Sequence, residues 1–392
     1  MRGLAASCIA SVAFMNKIYR KSCLINRLAA VCLFALIACP SRAQSPAQSS
    51  APVTTGPITS QELVRLVQQL PAHPEKRDEL IEEIRRRGIN FELTTGLRGV
   101  VASKSGNDAL LRRTLEEAAR RRLNPVASTL PPEAEARDLL QRTRTVTLAA
   151  SEAMPDFIVK QLITRAYSRA GLNNWTVSDR LSIAVSFRSS VGEEYKLLTV
   201  NGLPPSAEIR EGSVFEQLGG ASSTGEYVSR LATLFLDESQ TDFKAVDTDT
   251  LRGRRTIVYE YVIKKANSRA ILSYGERGQP QQQTRVGDRG RIWVDRELNR
   301  VLRLESISTE IPAEFPITEA SRTIDYDWVP IAERPYLLPT RAEVLMTSRY
   351  GDQLIQSRNE IRFRGYQKFG AEVKIIEDVD EDEEPPPDNK KP

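Results

Sequence analysis

Without a recognisable motif, chemistry would have to come from paired acids, a base beside a nucleophile, or a small-residue loop that cradles an anion. Asp247 with Asp249, and Asp325 with Asp327, are D-x-D pairs. At the two-residue period of a strand both carboxyls of a pair share one face, where they could hold a divalent ion or act as general acid and base. Ile324, Tyr326 and Trp328 alternate with the second pair, which equally fits the wet side of a half-buried strand. The single histidine, His73, stands in "LPAHPEK" between two helical patterns. It reads as an exposed turn residue, because a triad would need its serine and acid brought from another part of the chain.

The stretch "LGGASSTGEY", Leu218 to Tyr227, resembles a phosphate cradle or nucleophile loop at first sight. Ser223 and Glu226, however, have capping-box spacing, and Tyr227, Leu231, Leu234 and Phe235 follow at helical intervals. Glu226 would occupy an amide and repel phosphate, so the stretch reads as a helix entrance. No G-x-S-x-G, H-E-x-x-H, G-x-G-x-x-G or P-loop string occurs. The expectation is a non-enzymatic protein with no cofactor and no metal site.

The ends of the chain speak to location. Lys17, Arg20, Lys21 and Arg27 precede an apolar run from Leu28 to Ala38, and Ser41-Arg42-Ala43 forms a small-x-small site. Residues 1–43 therefore read as an export signal, the run being too short for the roughly 20 residues of a membrane span. Translation from Met15 would give a more ordinary length. Leu36-Ile37-Ala38-Cys39 resembles a lipobox, so lipidation of Cys39 stands beside cleavage after Ala43. All four cysteines lie in this segment, which leaves the rest of the chain without disulfides or thiolate ligands. Without residues 1–43, 49 basic residues face 51 acidic ones, and the electrostatic case for a nucleic-acid partner disappears. Residues 44–57 read as a disordered tether, and 377–392, with eight carboxylates between Glu377 and Asp388, as a disordered acidic tail.

Between these ends two periods organise the chain. Residues 58–125 carry helical spacing: a capping box at Thr59 to Glu62, a second helix from Glu75 to Arg87 stopped by Gly88, a short third around Leu97, and a fourth from Ala109 to Arg122. The arginine clusters 85–87 and 120–122 fall at helix C-terminal ends, where solvated cations suit the macrodipole. Residues 126–152 read as a linker and a helix, Glu133 to Ala150. From 153 to 376 the period becomes two, most clearly at Trp175 to Phe187, where every second residue is apolar save Asp179. Further strands are expected at Glu194–Val200, Thr256–Lys264, Ser268–Tyr274, Arg289–Asp295, Val301–Ser308, Ser321–Val329, Arg341–Thr347 and Asn359–Gln367. The expected fold is α+β: a small N-terminal helical domain, then a strongly curved antiparallel sheet, an open half-barrel, packed on one or two helices.

"GRIWVDRELNRVLRLES" and "RPYLLPTRAEVLM" resemble strands of the LolA/LolB lipoprotein-carrier-like fold. The stretch from about Asp156 to Phe369, with "LGGASSTGE" and "YQKFGAE", also resembles an uncharacterised family of secreted bacterial proteins. The carrier resemblance implies an apolar cavity able to take acyl chains. Alternation alone nominates Trp175, Leu181, Val185, Phe187, Tyr259, Tyr261 and Tyr274 for its lining, or else for an ordinary core. Three functional expectations follow: an exported protein holding a lipid or other apolar molecule, an envelope scaffold that contacts other proteins around a filled core, and a carboxylate-dependent hydrolase. Contact with a membrane would be peripheral, or through a lipid anchor on Cys39.

Overall fold

The computed structural model describes residues 56–125, 128–170, 174–205, 227–275 and 282–370. The expected export signal, Cys39, nearly all of the expected tether, residues 218–226 with the expected capping box, and residues 377–392 lie outside these residues.

Four helices come first: α1 (Ser60–Gln69), α2 (Arg77–Arg87), α3 (Thr95–Lys104) and α4 (Ala109–Leu123). Side chains of Thr59, Thr94 and Asp108 accept from the amides of Glu62, Leu97 and Leu111, so three of the four starts are capped. Gly88 ends α2 with φ +67°, a conformation that favours glycine. Leu63, Val67, Ile81, Ile84, Leu111 and Leu115 meet in a core of their own. The expected capping box is closed: the Glu62 amide donates to Thr59 Oγ1 at 3.2 Å, the Glu62 carboxylate accepts from the Thr59 backbone, and the same carboxylate receives Arg87 at 2.8 and 2.9 Å.

After α5 (Glu133–Glu152) come β1 (Phe157–Arg169), β2 (Thr176–Arg188), β3 (Gly192–Val200) and the two-turn α6 (Val228–Phe235). The rest is β4 (Asp242–Leu251), β5 (Arg254–Ile263), β6 (Ile271–Tyr274), β7 (Gln282–Arg285), β8 (Gly287–Asp295), β9 (Val301–Thr309), β10 (Ile317–Ile331), β11 (Arg334–Tyr350) and β12 (Gln353–Lys368). Ten strands form one open antiparallel sheet in the order β3-β2-β1-β12-β11-β10-β9-β8-β5-β4, and β6 pairs with β7 apart from it.

One short helix reveals the curl of this sheet. Tyr227, at the start of α6, packs on Phe157 of β1 and Phe363 of β12; Arg230 bonds to β8 and β9; Phe235 stacks on Phe243 of β4. Eight helical residues span about 12 Å, whereas β12 and β4 stand six spacings apart, about 29 Å on a flat sheet. The sheet wraps α6. Register shifts in six of its strand pairs, from β1–β12 to β4–β5, supply local bends.

The sheet therefore has an inner and an outer face. Inward-pointing residues of nearly every strand, with Leu139 of α5 and Leu231, Leu234 and Phe235 of α6, make one continuous apolar core. α2 and α4 lie over part of the outer face, as their ion pairs to β4, β9 and β11 show.

Candidate functional site

The nominated cavity residues divide between the two faces. Leu181, Val185, Phe187, Tyr259 and Tyr261 point inward. Tyr259 is 2 % exposed, and its hydroxyl donates to the carbonyl of Ala136 on α5 at 2.6 Å. Tyr261 is 1 % exposed. Tyr274, on β6, is half-buried against the same core.

Trp175 is elsewhere. Its Nε1 donates to Gly106 of the α3–α4 turn at 3.1 Å, and the Arg358 guanidinium sits 4.5 Å from its ring. The cause is one residue of register: Arg165 pairs with Asp179 but Ala166 pairs with Val177, so Ser178 is extra. A bulge reverses alternation for everything beyond it, and Trp175 turns from the inner face to the outer.

A polar knot that alternation did not nominate sits within the inner face. Asp288 accepts from Tyr261 Oη (3.2 Å), Ser306 Oγ (2.8 Å) and Arg230 Nη2 (2.6 Å), and Arg230 also reaches Ser306 Oγ at 3.0 Å. Burial, then the Asp288 carboxylate, pushes the Tyr261 phenol well above its ordinary range, so it stays a neutral donor. Gly290 lies directly opposite Tyr261, and a Cβ there would come within 2.8 Å of the ring and 1.8 Å of the Glu305 carbonyl. The glycines of "VGDRG" inside a strand were the available signal. Gln161 is fully buried nearby; Nε2 donates to Tyr227 Oη at 3.2 Å, and Oε1 has no partner among the described residues.

The outer face meets α4 through charge. Arg113 Nε reaches Glu305 at 3.1 Å, Nη1 reaches Glu343 at 3.3 Å, and Nη2 donates to Thr323 at 2.7 Å. Arg120 grips both oxygens of Asp249 at 2.8 and 2.9 Å, with Trp293 Nε1 adding a bond at 3.1 Å. Arg121 pairs with Asp247 at 2.9 Å, and Arg85 of α2 with Glu305 at 3.3 Å. Arg85, Arg120 and Arg121 are thus not solvated helix ends: they dock the helices on the sheet. The signal lay in α4 itself, where Arg113, Glu117, Arg120 and Arg121 recur at i, i+4, i+7 and i+8, a charged stripe beside the apolar one.

Both D-x-D pairs are engaged in the same way. Besides Asp247 and Asp249, Asp325 accepts from Arg303 at 2.7 Å, and Arg252 lies 3.5 Å from Asp325 and 3.8 Å from Asp327. Asp325 is partly buried by these arginines rather than standing open to water. Among the described residues no group of three His, Cys, Asp or Glu side chains is placed to hold a metal ion. Glu117 differs from its neighbours. Burial, then Glu305 and Asp249, raises its carboxyl to about 7, and its Oε1 has no hydrogen-bond partner among the described residues. Burial also raises Asp247.

Two clefts open between these layers. One of about 60 Å³ is bordered by Trp175, Arg77, Asp108 and Arg358, and one of about 120 Å³ by Arg77, Arg113, Glu319 and Glu343. Ligand pockets for small organic molecules run to roughly 300 Å³ and more and are mostly apolar.

No family model and no curated protein matches the sequence. Among solved structures, the chain is similar to a DUF1329 family protein from Desulfovibrio piger at 12 % identity, over 59 % of this chain and 93 % of that one, with a TM-score of 0.29. It is also similar to the MucA/MucB complex of Pseudomonas aeruginosa at 13 % identity, over 58 % of this chain and 98 % of that one, with a TM-score of 0.17. Overlaps this loose neither confirm a lipoprotein-carrier-like fold nor carry a functional argument.

Proposed function

We propose that the protein is an exported, non-enzymatic scaffold of the cell envelope, whose curved sheet is filled by its own helices and whose surfaces make contacts with other proteins. The observation that carries this reading is the inner face: Leu181, Val185, Tyr259 and Tyr261 pack against α5 and α6 in a continuous core. Arginines pair with both D-x-D pairs, those of α4 docking the helical layer on Asp247 and Asp249 and those of the sheet itself tying down Asp325, which supports a structural use of these carboxylates over acid–base work. Export rests on residues 1–43.

A second reading, storage of an apolar molecule between α6 and the sheet, is favoured by Gln161. A buried acceptor without a partner costs about 1–3 kcal/mol, and a ligand hydroxyl or amide beside Tyr227 would satisfy it. Native mass spectrometry of protein purified from the envelope separates the two. The scaffold reading expects the mass of the polypeptide alone; a retained lipid would overturn it in favour of the second.

A further inference from the structure

Beyond the helical layer, the outer face carries cations in an arrangement that sheets avoid. Arg341 on β11 lies directly opposite Arg362 on β12, and Arg364 lies directly opposite Lys160 on β1. In the same row Lys160 faces Ala184 on β2, which faces Lys196 on β3. All five cations point outward, since Ala342, Ile361, Phe363, Val159 and Leu197 beside them belong to the inner core. Like charges directly opposite each other destabilise an antiparallel pair.

Elsewhere the same face meets this problem with counter-charges. Glu343 is opposite Glu360, but Arg113 takes the first and Arg358 the second, each at 3.3 Å. Asp325, the neighbour of Arg341 on β10, is taken by Arg303 at 2.7 Å. Arg341, Arg362, Arg364, Lys160 and Lys196 form no side-chain ion pair with a described residue. Arg341, Arg362, Arg364 and Lys196 are exposed, and Lys160 is half-buried between them.

The missing counter-charge is present in the same chain. β12, which carries Arg362 and Arg364, ends at Lys368, and the eight carboxylates from Glu377 to Asp388 follow with no basic residue among them. The chain from Gly370 to Glu377 reaches up to about 24 Å. Going back along β12, Arg364 is about 14 Å and Arg362 about 20 Å from Lys368. We propose that the patch formed by Arg341, Arg362, Arg364, Lys160 and Lys196 is a docking surface for the acidic residues 377–388 of the same chain, in competition with other polyanions. The contact is exposed and electrostatic, so salt loosens it.

Zero-length carbodiimide coupling of the full chain, read by peptide mass spectrometry, tests this. The reagent joins a carboxylate to an amine it touches; Lys160 and Lys196 are the amines of the patch, and Lys244, Lys264 and Lys265, on and after strands at the opposite edge, are internal controls. The expected result is joins from residues 377–388 to Lys160 or Lys196 within one copy, lost in about 1 M salt, where screening acts over about 3 Å. Arg341→Ser, Arg362→Ser and Arg364→Ser together should also abolish them. Joins spread equally over the control lysines, joins between isotopically distinct copies, or joins indifferent to the three substitutions would each overturn the proposal. As a second measurement, a full chain with the carboxylates of 377–388 changed to amides should bind phosphatidylglycerol vesicles that the native chain leaves unbound. Equal vesicle binding by both, or by neither, would mean the tail does not guard the patch.

Discussion

The two faces of the sheet are covered by opposite means. On the inner face, α5 and α6 are held by aromatic and aliphatic packing; Phe157 alone has ring contacts with Phe187, Tyr227 and Tyr366 at 5.3, 5.6 and 5.5 Å. On the outer face, α4 is held by arginines set on carboxylates of β4, β9 and β11. Burial of apolar area is non-directional and cooperative, whereas a desolvated ion pair contributes little net energy but penalises any arrangement that breaks it. The inner face should therefore govern whether the protein folds, and the outer face where its helical layer sits.

Cutting into the inner face should produce the largest effect. Phe157→Ala removes a fully buried ring from the junction of β1, β12 and α6, and should cost about 4 kcal/mol. Chemical denaturation measures the loss, and amide exchange should rise across the whole sheet. Arg113→Ala comes next, because it leaves Glu305, 8 % exposed and beside Glu117, with Arg85 as its remaining partner and takes the counter-charge from Glu343. Breaking a buried pair from one side costs about 3 kcal/mol. Here exchange should rise in α4 while β1 and β12 stay protected; equal opening of both regions would erase the distinction between the faces. The double change Arg113→Met with Glu305→Met should be milder than Arg113→Ala alone, since it removes the buried Glu305 carboxylate together with its partner.

This division was only half legible in the sequence. β2 and its inner residues stood out because Leu181, Ile183, Val185 and Phe187 alternate cleanly with small polar residues. β1 escaped notice: it has Gln161 on its inner side and Leu162 on its outer, which blurs the period of two. β4 was hidden by carboxylates and a register shift between Ala245 and Asp247. The helix of Tyr227, Leu231, Leu234 and Phe235 was readable because a two-turn apolar stripe must be buried somewhere. The partners of Arg85, Arg120 and Arg121 were not, because spacing shows which residues share a helix face but not what lies opposite. The same limit concealed the bulge that turned Trp175 outward.

Acidity should distinguish the faces next. The Glu117 carboxyl faces Arg85 of α2, Asp249 of β4, and Arg303 and Glu305 of β9; Arg113, Arg120 and Arg121 flank it on α4, and Asp247, near Arg121 and Arg291, lies beside Asp249. With its pKa at about 7 in the folded protein and 4.5 for an ordinary glutamate, the folded state holds the extra proton between those limits. Stability contributed there is present at low pH, falls as pH rises through 4.5, and is gone above about 7, a loss on the order of 3 kcal/mol. Raised Asp247 acts in the same sense, whereas Glu62 and Glu83, held low by Arg87, lose their contribution only as pH falls below the ordinary carboxylate range. Exchange of α4 amides, corrected for intrinsic rates, should thus be slower at pH 5.5 than at pH 8. Glu117→Gln should remove that slope, and an unchanged slope in the variant would dissociate Glu117 from docking.

The smallest effect concerns Gln161, a buried polar side chain of the inner face that is left incompletely bonded among the described residues. Gln161→Leu gives up the bond to Tyr227 Oη and also removes the unmatched Oε1. Losing a hydrogen bond costs about 1 kcal/mol, and relieving a buried orphan returns about 1–3 kcal/mol. The variant should come out about 1 kcal/mol more stable than the native chain, measured by the shift of the denaturation midpoint. That gain is expected if the inner face is simply a filled core in which Gln161 is an imperfection. A loss of stability confined to protein purified from the envelope, and absent from protein refolded from denaturant, would have the opposite meaning: something carried in from the cell had been bonded to Oε1, and the inner face holds a ligand as well as its own helices.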